Sequence, residues 1–227
     1  MNPYTFVRDL FSIALTDVFN PYSDTCDVHD KVNAASVRRK NLRTYLSAAL
    51  THEVDTLWMG RDLGYRGGRR TGLALTDEYH LIDLARVFPN TTFLRATMGS
   101  AVAERTAAEI WRALHPLPRQ PLLWNAFPLH PHESGNPFSN RRFTMRELAA
   151  VEELNAQLIG GLRIKRIIAI GQDAALYAQR FGVNVETVRH PSYGGVADFR
   201  RGISQLYGFR ASFVDRHHEQ VSLFTRK

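Results

Sequence analysis

Cysteine is almost missing from this chain: Cys26 is the single copy in 227 residues. That excludes an intrachain disulfide framework and any iron–sulfur or zinc centre held by several cysteines of one chain. It also fits a reducing compartment. Long apolar runs are missing too, since nothing approaches the roughly 20 residues needed to span a bilayer. The opening "MNPYTFVRDLFSIALTDVF" is apolar in part, but Arg8, Asp9 and Asp17 interrupt it and no small-residue cleavage site follows. It reads as a first amphipathic helix, and the chain as cytoplasmic. Internal repeats and low-complexity tracts are absent. No Gly-Lys-Ser/Thr closes a phosphate loop, no dinucleotide fingerprint occurs, and no Gly-x-Ser-x-Gly elbow supplies a hydrolase nucleophile.

What remains is an ordinary globular composition, 44% apolar and 22% charged. The length suits one domain over residues 1–227 with a substantial core. The net charge of +7 and sequence pI near 9.8 suit a polyanionic partner such as DNA or RNA.

Four short apolar runs read as buried strands, at 54–60, 121–127, 165–171 and 184–190. Helical periodicity fills 4–19, 36–52, 77–88, 100–114, 144–160, 172–181 and 196–207. Thr144 followed by Glu147 is a capping-box signature, and Leu148, Val151, Leu154 and Leu158 make one stripe. Residues 20–35 read as a polar connection, and "QVSLF" near the end as an edge strand. Strands alternating with helices predict an α/β fold, a three-layer α/β/α arrangement around a central four-stranded, mainly parallel sheet. In such a sheet ligands bind beyond the carboxyl ends of the strands.

Three post-strand loops hold the chemically suggestive residues. "WMGRDLGYRGGRRTG" (58–72) is rich in glycine and arginine and has one acid, Asp62. "WNAFPLHPHESGNPFSNRRFT" places Asn125 at a strand end, where an amide offers a donor and an acceptor in fixed geometry. Satisfying neighbouring backbone is the competing role for it. His130, His132 and Glu133 lack a further evident ligand, so metal is not expected. "VRHPSYGGVADFRRG" ends a strand on His190 and continues through a Gly-Gly pair that permits close backbone approach.

Taken together the three loops resemble the three motifs of the uracil-DNA glycosylase superfamily. "WMGRDLGYRGGRRTGLALTDE" is similar to its Gly-rich water-activating loop, "LLWNAFPLHPHESGNPFSNRRFT" to its asparagine-bearing motif, and "RHPSYGG" to its His-Pro-Ser motif with the wedge loop after it. The resemblance covers roughly residues 50 to 210. It implies a monomeric, monofunctional DNA glycosylase acting in base excision repair, which flips uracil or another deaminated base from DNA and hydrolyses its glycosidic bond without metal or redox cofactor. Asp62 then matches the acid near the sugar, His190 the histidine that donates to the leaving base, and Asn125 the base-reading amide. Leu75, Gly64 and Tyr65 fall at the base pocket. Ser192, Tyr193, Gly194 and Gly195, with Arg141, Arg200 and Arg201, match wedge-loop or phosphate-contacting positions. Asp77 and Glu78 follow as the next acids of the first motif.

The chain departs from the pattern in places. Leu75 stands where uracil-specific members stack a phenylalanine, Gly64 where the most stringent have a methyl-excluding tyrosine, Leu63 where a proline is usual, and Arg61 where the nearest look-alikes have an acid. A superfamily member that binds DNA or a base without cleaving it is therefore the alternative.

Overall fold

The computed structural model describes residues 1–209. Helix α1 (Pro3–Phe11) starts under an Asn2 cap, with Pro3 in the first turn, where its missing N–H costs nothing. Then come β1 (Val18–Phe19), α2 (Ala34–Thr51), β2 (Thr56–Asp62), α3 (Gly68–Thr71), α4 (Leu81–Val87), α5 (Arg105–Leu114), β3 (Leu122–Phe127) and β4 (His130–Pro131). The chain continues through α6 (Met145–Gly161), β5 (Arg166–Ile170), α7 (Gln172–Ala178), a 3-10 turn (Gln179–Phe181), β6 (Asn184–Val188) and α8 (Val196–Tyr207).

The central sheet has the order β3-β2-β5-β6, and every pairing in it is parallel. Its inner strands carry continuous apolar runs, Leu57-Trp58-Met59 in β2 and Ile167 to Ile170 in β5, because both faces are covered. On one face α6 and α7 pack against the strands and α1 joins α6. There Trp124 Nε1 donates to Asn155 Oδ1 at 2.8 Å, and Asn155 Nδ2 donates to Ala126 O and to Tyr177 Oη. On the other face α8 receives Trp58, whose Nε1 donates to Tyr207 Oη and whose ring meets Phe199 edge-on. Helix α5 packs beside α8. The three-layer α/β/α arrangement and its four strands match the sequence expectation. The capping box of α6 forms as read, Thr144 Oγ1 accepting from Glu147 N and Thr144 N donating to Glu147 Oε2.

Several boundaries differ from the reading. The first helix stops at Phe11 rather than reaching residue 19, because Asn20 Nδ2 donates to the carbonyls of Leu10 and Ile13. Val18 and Phe19 then pair antiparallel with Pro131 and His130, a partner strand no local pattern announces. The segment 100–104 is not helical: Val102 N–H is taken by Glu78 Oε2 and Glu104 N–H by Asp77 Oδ2, so α5 begins at Arg105. Residues 77–80 are likewise outside α4, since Asp77 Oδ1 holds the N–H groups of Tyr79 and His80. The "QVSLF" segment lies outside the described residues.

Candidate active site

Strand β2 runs two residues further than its apolar pattern, so Asp62 ends the strand instead of standing in the loop. The register sets Gly60 opposite Asn125, and Asp62 opposite Phe127. Gly60 and Asp62 share the β2 face of Trp58, the α8 side, because side chains alternate along a strand. A Cβ on Gly60 would collide with Asn125 Oδ1 and stand 3.0 Å from Leu75 Cδ2. Glycine at that position is what lets the amide and the leucine converge.

Asn125 is fully buried, and among the described residues neither its Nδ2 nor its Oδ1 finds a hydrogen-bond partner. An orphaned amide inside a protein costs roughly 1–3 kcal/mol. The competing role, satisfying neighbouring backbone, is therefore not what this side chain does. Leu75 comes to the same Gly60 from a loop in an unusual conformation, φ +54°. Thr71 holds that loop, its Oγ1 accepting from Leu73 N and donating to Thr76 O.

Asp62 is nearly buried, its side chain 8% exposed, and Arg61 folds back along the strand end to meet it. Arg61 Nε lies 2.6 Å from Oδ2 and Nη2 3.5 Å from Oδ1, while Nη1 reaches Asp173 at 3.5 Å. Burial pushes the Asp62 carboxyl up to about 6, and the Arg61 cation limits the rise.

His190 follows β6 and lies against Gly171 at the end of β5, where a Cβ would stand 3.3 Å from its own. Burial, then the cations of Arg61 and Arg189, push the imidazole down to about 4, so it is neutral at physiological pH. The backbone N–H of Ser192 donates to His190 Nδ1 at 3.1 Å, and Ser192 Oγ lies 2.8 Å from the same nitrogen. Since Nδ1 accepts, the ring proton is on Nε2, which is left to donate outward. Asn125, Asp62 and His190 thus stand toward the carboxyl ends of strands in one sheet, with Arg61 bound to Asp62 and its charge felt by His190.

The loops are tied to one another. Tyr65 N–H donates to Asn140 Oδ1 at 3.1 Å and Leu63 N–H to Leu129 O at 3.2 Å, joining the first motif to the second. Tyr193 is 98% exposed at φ +50°, and Gly194 follows at φ +77°. Gly195 leaves no room for a Cβ, which would overlap His190 O.

The arginines divide. Arg69 and Arg70 are buried: Arg69 Nη1 lies 3.1 Å from His130 Nδ1 with its guanidinium over the Phe19 ring, and Arg70 pairs with Glu78. Arg141 forks onto Glu147 and holds the carbonyls of His132 and Asp17. Arg200 pairs with Glu109, whereas Arg201, bound to Asp198, keeps an exposed side chain. His130 is a structural residue, both ring nitrogens engaged by Arg69 and Ser139 O. Asp77 and Glu78 are fully engaged within the fold, by His80 and backbone N–H groups in one case and by Arg70, Thr97 and Val102 in the other.

One carboxyl escapes a reading by motif. Glu104, 42 positions after Asp62 at the start of α5, lies against the glycine loop: a Cβ at Gly64 would stand 3.0 Å from its Oε1, and one at Gly67 would collide with its Oε2. Its place at a helix start was the available signal, but glutamate is an uncommon cap and nothing local linked it to the first motif.

Fold and site together define a three-layer α/β/α protein with Asn125, Asp62 and His190 toward the carboxyl ends of a four-stranded parallel sheet. No family model matches the chain, and no curated protein matches it. Among solved structures, wild-type SMUG2 of Pedobacter heparinus has a similar fold, with a TM-score of 0.55 at 14% identity over 98% of this chain and 99% of that one.

Proposed function

We propose that this chain is a monofunctional DNA glycosylase of the uracil-DNA glycosylase superfamily, which extrudes a deaminated base from DNA and hydrolyses its glycosidic bond. One observation carries the reading: a buried amide, Asn125, has both hydrogen-bonding atoms unpartnered among the described residues, near a strand-end carboxylate, with a neutral histidine at the end of the same sheet. The fold shared with SMUG2 supports the superfamily.

In this mechanism the extruded base displaces Leu75 from Asn125 and exchanges the amide's missing partners for its own edge. As the bond from C1′ to the base nitrogen breaks, its electron pair leaves with the base, where His190 Nε2–H donates to the oxygen that gains charge. Asp62 stabilises the cationic sugar and orients the water that adds to C1′. Its proton passes to the carboxylate. Tyr193 on its exposed turn fills the gap left in the duplex, and Arg201 meets phosphate.

Purified protein incubated with oligonucleotides carrying uracil or hypoxanthine, then treated with alkali, is expected to yield cut strands. Intact strands across a broad panel of damaged bases would sink the proposal. Binding without cleavage is the second reading, favoured by Arg61, which approaches both oxygens of Asp62. Salt-dependent DNA affinity with no abasic product would establish it instead.

A further inference from the structure

Asp62 and Glu104 have opposite surroundings. Asp62 has a guanidinium at 2.6 Å. Among the described residues, the carboxyl of Glu104 receives no hydrogen bond and no ion pair, although its backbone N–H is held by Asp77 Oδ2 at 2.6 Å. Its side chain does not turn back to cap α5. It extends instead into the space left by the absent side chains of Gly64 and Gly67. That loop follows Asp62 directly, and α5 packs beside α8 on the sheet face that Gly60 and Asp62 share. The fully buried, unpartnered amide of Asn125 is on the same face, against Gly60.

We propose that Glu104 is a further specificity-determining residue of this pocket, donating a hydrogen bond from its carboxylic acid to a carbonyl or ring-nitrogen acceptor on the extruded base. The inference rests on the glycosylase reading and adds a substrate class to it, bases that present an acceptor toward the Gly64–Gly67 loop. The charged groups that face Glu104 are Asp77, which carries His80, then Asp62, and Arg66 on the loop. Burial, then the two aspartates, push its carboxyl up to about 7 against the opposing pull of Arg66. A carboxylic acid kept neutral beside an ionised partner is a hydrogen-bond donor, which a carboxylate is not. The donor form is lost as pH rises through about 7.

The test uses binding, so that it does not depend on catalysis. Wild type, Glu104→Gln and Glu104→Ala are titrated with two oligonucleotides, one carrying a hydrolysis-resistant 2′-fluoro-deoxyuridine and the other a tetrahydrofuran abasic site. Glu104→Ala is expected to weaken the uracil probe about three- to tenfold, the worth of one hydrogen bond, and to leave the abasic probe unchanged. Glu104→Gln keeps an N–H donor and is expected to stay within about twofold of wild type. The uracil preference of wild type should fall between pH 6 and pH 8.5, while that of Glu104→Gln stays flat. Equal loss on both probes, or a Gln variant as weak as Ala, would overturn the contact. Wild type that shows the binding pattern yet cleaves nothing would overturn the glycosylase reading alone. Cleavage without the pattern would overturn Glu104 alone.

Discussion

At the scale of single residues, the proposed chemistry turns on Asp62 being buried and still ionised. Asp62→Asn removes the charge and keeps the shape, so turnover is expected to fall by about 10²–10⁴ while DNA affinity holds, in single-turnover and binding assays. The rate should rise as pH climbs through about 6, where Asp62 ionises. Arg61→Gln removes the nearest cation and should move that limb to higher pH, with Arg61→Lys restoring part of the shift. An unmoved limb would detach Arg61 from this task. Stability runs the other way. A carboxyl whose folded pKa is raised binds its proton more tightly when folded, so the wild type loses stability as pH rises from about 4 to about 6. Asp62→Asn escapes that loss, and its melting temperature should exceed that of wild type at pH 8 but not at pH 4. The gain is on the order of 2–3 kcal/mol before relaxation around Arg61. Asp62, Asn125 and His190 were legible as candidates because each lies within or just past an apolar run and each falls in a motif. Glu104 and the Arg61 contact were not, since nothing in the order of residues reports which side chain folds back or which helix start meets a distant loop.

At the scale of elements, the candidate site depends on strands held in register and on glycines that make room. Asn155 bolts α6 to β3 and α7 through Trp124 Nε1, Ala126 O and Tyr177 Oη. Asn155→Leu strands these buried groups and should cost on the order of 1–3 kcal/mol for each left unsatisfied, read as a lower denaturation midpoint. Gly60→Ala tests the floor of the site. The added methyl meets Asn125 Oδ1 and Leu75 Cδ2, so overpacking of about 1–3 kcal/mol is expected together with weaker binding of the base. A Gly60→Ala protein that bound the 2′-fluoro-uracil probe like wild type would contradict the placement of the amide in the base site. The four central strands were readable from apolar runs because burial on both faces demands them. The two-residue pairing of β1 with β4 was not, because its registry is set by residues more than a hundred positions apart.

At the scale of the whole molecule, the charge of +7 is spread unevenly in use. Arg38, Arg69 and Arg70 are buried, Arg38 against Asp30 and Arg70 against Glu78, and supply no surface field. Exposed Tyr193 lies on the turn after His190, and exposed Arg201 on the helix that follows it. Affinity for DNA should fall steeply with salt, and Arg201→Ala should flatten the slope of log K against log salt by about 1 if that side chain meets one phosphate. An unchanged slope would remove it from the interface.

By itself, the sequence determined the layer architecture, the strands and the three loops that end them. Those follow from apolar periodicity and from residue types that only certain backbone positions accept. The tertiary structure alone decided which polar groups are left without partners. Burial pairs Arg69 and Arg70 of the glycine loop with distant acids and rings, sets Arg61 on Asp62, and leaves the Asn125 amide and the Glu104 carboxyl without hydrogen-bond partners among the described residues. The physical reason is that desolvation and hydrogen-bond satisfaction depend on every neighbour in space, and those neighbours come from segments far apart along the chain.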